Sequence, residues 1–504
     1  MSVTGLQILN EKLDSALIEM EQRSIWASNF REQGTALGID GGLLGIDMTD
    51  ERIVYAEQLA EEQGIKIEYR ISSFKAGHTN TVRLTLRGKS GKRVVLLAIS
   101  TGGGMYRIIS CDGHRVDIRG DSYHLIIRAR PGFDAGKLRT DSGIPAWKYR
   151  LNTSLQDAEM LIQLTSPEPF TLKDREKISG LKDVDSVSLV EPILPVVSGR
   201  ETEFRFTDLP SLMEFARDTE YSLGELGLMY ESSRSGLGRS ELLAKMKMLI
   251  GIIEGGINRG LKGTRYADRI LQQQSDRIEK AAAAGIIHSG PLVNQIIGNV
   301  SALMEAKSAM EVIVAVPTAG SCGTFGGTIK AFCDTSGMGE KEKVLAYFAG
   351  GLVGVFFAMG PGFSAEEHGC QVETGAAGCM AAAALADLSG GDYRQALAAA
   401  SMALQNTIGL ICDPVADRVE VPCLGKNVTA GMNALAASSM ALSGFDPVIP
   451  LEQVIRTVEK VGRALPSALC NSGKGGLAVT PRARELKKML KGLKGDTLEL
   501  PGDE

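Results

Sequence analysis

A chain of 504 residues is long enough for two or three domains with large cores, and its formal net charge of −5 is spread over both signs. That balance offers neither a nucleic-acid groove nor a membrane-binding face. The eight cysteines follow no small-domain disulfide framework and no charged-then-apolar leader opens the sequence, so a cytoplasmic protein with thiols available for metal is expected.

Leu6 to Glu32 reads as a helix, followed by a Gly-rich stretch from Gly38 to Gly45 and a second helix from Asp50 to Gln63. Short β-patterned runs come next: Lys66–Ile71, Thr81–Leu86, Arg93–Ile99, Tyr106–Cys111 and Val116–Ile118, separated by turn residues. Residues 1–119 are therefore expected to form a small α+β domain. Strands over Tyr123–Ala129, Trp147–Asn152 and Glu159–Leu164, a helix over Leu172–Gly180 and a strand over Val184–Val190 define residues 120–198. That order resembles a degenerate ACT domain whose first helix is missing, since Pro131 to Pro145 reads as irregular; a packing or dimerisation unit is the alternative. Pro192 to Glu203 is a linker.

From residue 205 to 495 the sequence is expected to be all helix, over Ser211–Arg217, Ser240–Arg259, Arg269–Ala284, Leu292–Ala309 and Glu340–Phe357 among others. The apolar run Val344–Gly360 is about long enough to span a bilayer, but its four glycines and the Pro361-Gly362 stop favour a buried core helix. The fold class expected is multidomain α+β: a small α+β domain, an ACT-like βαβ domain and an all-α catalytic domain.

Five Gly- or Cys-punctuated loops interrupt these helices: Pro317–Gly323, Glu367–Gln371, Gly409–Pro414, Val421–Asn427 and Asn471–Gly476. Short polar loops on a rigid helical scaffold are where a site is expected. Cys370, Cys412 and Cys423 stand in three of them, with no Cys-x-x-Cys, which argues against a zinc ribbon or a ferredoxin-type cluster. Three thiolates on a [4Fe–4S] cluster would leave one iron open as a Lewis acid, a lyase arrangement rather than an electron carrier. Spacing alone leaves a buried apolar role open for each.

The loops resemble those of the iron–sulfur-dependent L-serine dehydratases. The family's Pro-Thr-Ala-Gly-Ser-x-Gly is Pro317–Gly323, its Gly-Cys-Gln-x-Glu-x-Gly is Gly369–Gly375, its Cys-Asp-Pro-Val is Cys412–Val415, its Val-Pro-Cys-x-x-x-Asn is Val421–Asn427 and its Gly-Gly-Leu-Ala-Val-Thr-Pro is Gly475–Pro481. Upstream, Gly41–Leu44, His78–Arg83 and Ser100–Gly104 look like the family's β-domain, so the chain resembles a fused β-plus-α form. The family's Ser-Ser-Ser-His-Thr loop has no counterpart in this sequence, and His368 stands where the family usually has a small or apolar residue.

The resemblance implies that Cys370, Cys412 and Cys423 ligate a [4Fe–4S] cluster. It implies elimination of water from L-serine or a related amino or hydroxy acid, giving pyruvate and ammonia; the ACT-like unit points to a homodimer. The absent loop leaves three alternatives: a separate chain that supplies it, a dehydratase or desulfidase for another β-substituted acid, or an inactive protein; a non-catalytic iron–sulfur sensor with an ACT-like ligand domain is a further reading. His368 and His78 are candidate bases, and His368 has a structural alternative. Lys474 either pairs with a carboxylate or faces solvent. Thr318, Ala319, Gly320, Ser321 and Gly323 either bind the substrate carboxylate or form a tight turn. Gln371 and Asn427 complete the expected substrate side, with Glu373 beside them. Cys470 and Cys322 lie near enough in sequence to the loops to approach the cluster.

Overall fold

The computed structural model describes residues 1–492 except 75, 79, 141–142, 146–147, 157–158 and 195–205. Most of the expected linker, the 205 boundary and Trp147 lie outside the described residues. The chain is mixed α/β and divides into two compact units. One comprises the described residues within Met1–Thr101, Met105–Thr202 and Arg234–Gly236; the other those within Gly102–Gly104, Glu203–Ser233 and Leu237–Glu504.

The first unit holds two sheets. The larger contains β1 (Leu13–Glu21), β2 (Lys66–Ser72), β3 (Thr81–Gly88), β4 (Arg93–Gly102), β5 (Met105–Cys111) and β6 (His114–Ile118), in the order β2-β1-β3-β4-β5-β6. β1 runs parallel to β2 and antiparallel to β3. Ala16, Ile18, Met20, Val82, Leu84, Leu86, Val94, Leu96 and Ala98 alternate onto one face, where they pack with Ile8 and Leu9 of the helix Ser2–Leu9 and Ile39 and Leu43 of the helix Thr35–Leu43.

The expected helix Leu6–Glu32 is thus corrected: only Ser2–Leu9 and a short turn at Trp26–Asn29 are helical, and the middle is a strand. Leu, Ala, Glu and Met favour helix locally, but β1 pairs on both edges and buries alternate side chains, and tertiary context overrides propensity.

The second sheet has β7 (Tyr123–Ala129), β8 (Arg150–Gln156), β9 (Glu159–Ser166) and β10 (Val184–Val190), in the antiparallel order β10-β7-β9-β8. The helix Leu172–Ser179, started by a reciprocal Thr171/Asp174 cap, buries Ile178 in this sheet's core. A four-residue helix, Lys137–Thr140, interrupts the stretch expected to be irregular.

In the second unit the helix Thr374–Leu388 lies at the centre, in contact with the helices Cys322–Ser336, Glu340–Met359, Tyr393–Gln405 and Cys423–Leu442. Its alanines and glycines permit this: a Cβ at Gly378 would lie 3.3 Å from the Ala430 carbonyl and methyl. Among the described residues Glu340–Met359 is the one helix long and apolar enough to cross a membrane, and its Val344, Phe348, Leu352 and Phe357 are buried in the helical core. The helix expected over Arg269–Ala284 is confined to Asp276–Ala283.

Candidate metal centre

The helical unit brings its five loops to one place. Gly369 has φ +73°, and a Cβ there would sit 2.8 Å from the Leu410 carbonyl, so the turn into Cys370 needs glycine. Cys412 donates its N–H to Leu469 O at 2.8 Å and accepts at its carbonyl from the Asn471 N–H at 2.8 Å. Cys423 opens the helix Cys423–Leu442, and Lys426 and Asn427 follow one turn on. Gly476, at φ +58°, passes Asp413 so closely that a Cβ would lie 2.5 Å from Oδ2.

Cys370, Cys412 and Cys423 are 3, 4 and 5% exposed, and all three thiols are free. Ligand atoms of Cys370, Glu373 and Cys412 lie within 4.8 Å of one another. A hydrogen bond with Cys370, reinforced by burial, holds the Cys412 thiol well above its ordinary range. Burial pushes Cys423 up to about 12, with the Cys370 thiol acting in the same direction; its sulfur is not among the ligand atoms that lie within 4.8 Å of one another.

Two lysines balance these thiols. Lys426 Nζ donates to Ile411 O at 2.7 Å and to Asp413 Oδ1 at 3.0 Å, and stands 3.9 Å from Cys370 Sγ. Burial alone would lower Lys426, but Cys370 and Asp413 outweigh it and hold the ammonium up. Lys307 donates to Val419 O at 2.6 Å and is lowered by burial, against the opposing influence of Cys423 and Cys322. Glu373 is pushed up to about 7 by burial and by Glu366, against a hydrogen bond from Thr318. It approaches Cys370 Sγ to 3.9 Å, and its Oε1 would lie 3.3 Å from a Cβ at Gly320.

The remaining expected residues fall into distinct places. Thr318 and Ser321 cap their own turn, Thr318 N–H donating to Ser321 Oγ at 3.3 Å. Ala319 is exposed at that turn. Gly323 lies inside the helix Cys322–Ser336, where a Cβ would meet Val300 O and Met304 at 2.8 Å; its absent side chain serves helix packing.

Gln371 spends both ends of its amide on the scaffold, Nε2 donating to His368 O at 2.8 Å and Oε1 accepting from the Gly409 N–H at 2.9 Å. Asn427 does likewise, accepting from Thr324 N–H at 3.0 Å and donating to Gly320 O at 2.8 Å and Cys423 O at 2.9 Å. Both orient loops.

The His368 ring packs on Gly462 of the helix Leu451–Ala464, where a Cβ would fall 2.6 Å from its Nδ1. The charged groups acting on it are Glu367 of its own loop and Glu459 and Arg463 of the helix Leu451–Ala464. Lys474 is exposed. His78 belongs to the first unit, where its Nδ1 accepts from the Asn80 N–H at 3.1 Å.

Cys470 is buried beside Cys412, its Sγ 3.7 Å from Pro466 O, and the Cys370 thiol is among the groups that raise it. Cys322 points at Met304 Sδ, 3.9 Å away.

The chemistry-bearing residues that sequence reasoning passed over as site members are Lys426, Asp413 and Lys307. The first two stood inside recognised loops. An i, i+3 spacing from Cys423 puts Lys426 on the same helix face, a signal that was available. Lys307 gave none, because a lysine near a helix C-terminus is ordinary.

Residues 148–478 match the family model described as serine dehydratase alpha chain. The "Probable L-serine dehydratase, alpha chain" of Bacillus subtilis (strain 168) is 32% identical over 287 residues, 57% of this chain and 96% of that protein. The "L-serine dehydratase, alpha chain" of Peptoniphilus asaccharolyticus is 27% identical over 55% of this chain and 95% of its own length. "L-serine dehydratase 1" of Escherichia coli (strain K12) is 28% identical over 55% of this chain and 62% of its own length. The chain belongs to the serine dehydratase alpha-chain family, the family its loops resemble.

Proposed function

We propose that the chain is an L-serine dehydratase that holds a [4Fe–4S] cluster on Cys370, Cys412 and Cys423 and eliminates water from L-serine, giving pyruvate and ammonia. The observation that carries this reading is the meeting of the buried Cys370 and Cys412 thiols with the Glu373 carboxyl, with the Lys426 ammonium 3.9 Å from Cys370 and the buried Cys423 thiol under the electrostatic influence of Cys370. Burial keeps such thiols protonated, whereas metal coordination favours thiolate, so the donor set fits a metal cluster better than it fits an empty core.

When bound, a cluster with one iron free of protein thiolate supplies a Lewis acid to the substrate hydroxyl. The protein's own groups do the rest. Lys426, fixed by Asp413 and Ile411 O, offsets the thiolate charge. Glu373, between Cys370 and the Thr318 turn, is the carboxyl placed to hold the proton that leaves Cα. The Thr318–Ser321 turn offers main-chain donors to the substrate carboxylate. His368 acts through its carbonyl, by which Gln371 is oriented. The enamine formed by elimination hydrolyses to pyruvate and ammonia.

The antiparallel order β10-β7-β9-β8 with the helix Leu172–Ser179 supports the ACT-like reading of the second sheet, and with it a homodimer. Eight free cysteines support a reducing compartment, the cytoplasm. The rival reading is a related acid as substrate; 2-oxobutyrate from L-threonine or sulfide from L-cysteine, exceeding pyruvate from L-serine, would establish it.

Replacing Cys370, Cys412 and Cys423 singly with serine is the test. Each variant, made without oxygen, is expected to lose most of its iron and its visible absorbance. Full iron in any one of them would remove that residue from the ligand set.

A further inference from the structure

The face of the larger sheet opposite its helices carries an open concavity of about 550 Å³, within the usual range for small-molecule sites. Strand register sets its side chains in rows. Lys66 pairs with Ser15, Ser15 with Arg87, and Arg87 with Arg93, so one line across four strands holds three cations and a hydroxyl. The next row is Glu68, Leu17, Thr85 and Val95. Both carboxylates of the lining are already used: Glu19 binds Arg83 through two bonds of 2.7 Å, and Glu68 binds Arg70 at 2.7 Å. Among the described residues no carboxylate pairs with Lys66, Arg87 or Arg93. The adjacent Asp14 accepts only a long 3.4 Å bond from Ser15.

Arg87 and Arg93 stand directly opposite each other, an arrangement that costs stability unless an anion lies between them. Two guanidiniums one strand spacing apart, about 5 Å, can both fork onto one tetrahedral dianion. Leu17 and Val95 give a small apolar floor beside them, with Thr85 as a hydroxyl.

We propose that this sheet face is a binding site for a phosphate monoester, its phosphate held by Arg87 and Arg93 with Lys66 at the edge, and its short organic part over Leu17 and Val95. The site is independent of the cysteine centre and of the reaction assigned to it.

The test is calorimetric titration of the full chain with inorganic phosphate and with glycerol 3-phosphate at constant ionic strength, beside the Arg87→Thr/Arg93→Thr and Arg87→Lys/Arg93→Lys variants. Saturable binding is expected, tighter for the monoester, weakened about tenfold or more by the threonine pair and less by the lysine pair. Arg93→Thr alone, without phosphate at low salt, is expected to melt no lower than the parent chain because it relieves the opposed charges. Lack of saturable binding, or equal affinity in the threonine pair, would overturn the proposal. So would a threonine pair whose main effect is a changed sedimentation coefficient, since a second copy would then be the occupant.

Discussion

Lys426 Nζ and Asp413 Oδ1 meet at 3.0 Å, and Asp413 uses its other oxygen to accept the Leu477 N–H at 2.8 Å. Since the same ammonium also binds Ile411 O and approaches Cys370, this one pair ties together loops from four parts of the chain. Removing one partner of a buried pair leaves the other charge uncompensated, at a cost of about 3–5 kcal/mol. Lys426→Met is therefore expected to lose stability of that order in chemical denaturation and to retain less iron than the parent. An unchanged midpoint and iron content would show the pair to be incidental.

Asn427 tests the scaffold rather than the chemistry. Its amide holds Thr324, Gly320 and Cys423 together in a fully buried position. Truncation to alanine strands a buried N–H and two carbonyls, each worth about 1–3 kcal/mol. Asn427→Ala is expected to destabilise by roughly 2–4 kcal/mol, read from the shift in denaturant midpoint, and Asn427→Asp by no less, because its carboxylate cannot donate to Gly320 O or Cys423 O.

Cys470 tests the count of ligands. Its backbone is paired with Cys412, yet its sulfur sits 3.7 Å from the Pro466 carbonyl. Cys470→Ser is expected to keep its iron and its turnover within about twofold, under about 0.5 kcal/mol of barrier. Loss of iron on a par with Cys412→Ser would make Cys470 a ligand and close the open position.

Asp40 gives a pH signature in the first unit. Burial pushes its carboxyl up to about 6, although it accepts a 2.5 Å bond from the Tyr69 hydroxyl. An unfolded Asp titrates near about 3.9, so between those values the folded chain binds more protons than the unfolded one. Stability from this group is full below the unfolded value, falls as pH rises, and is lost above about 6. Asp40→Asn keeps an acceptor for Tyr69 and is expected to gain roughly 2–3 kcal/mol at pH 8 and little at pH 4. Equal gains at both pH values would contradict the assignment.

The strand Thr81–Gly88 was legible because Val82, Leu84 and Leu86 alternate and mark one face. Leu13–Glu21 was not, because its Leu, Ala, Met and Glu suit a helix equally well, and only pairing on both edges decides. The motif loops pointed to the place where Cys370, Glu373 and Cys412 come together. Lys474 and His368 were chosen for their position in such loops, but their side chains face solvent and the helix Leu451–Ala464. Which loop residue turns inward depends on helix phase and on partners distant in sequence, as with Lys426 and Ile411 O.

The role proposed for Cys370, Cys412 and Cys423 is to hold an iron–sulfur cluster for the dehydration of L-serine. The most direct measurement is iron and sulfide content of the chain purified without oxygen, followed by pyruvate release from L-serine in the same sample. About four irons per chain, with pyruvate release that disappears together with the iron in Cys412→Ser, is the expected result. Iron-free protein, or pyruvate release that survives loss of the iron, would contradict it.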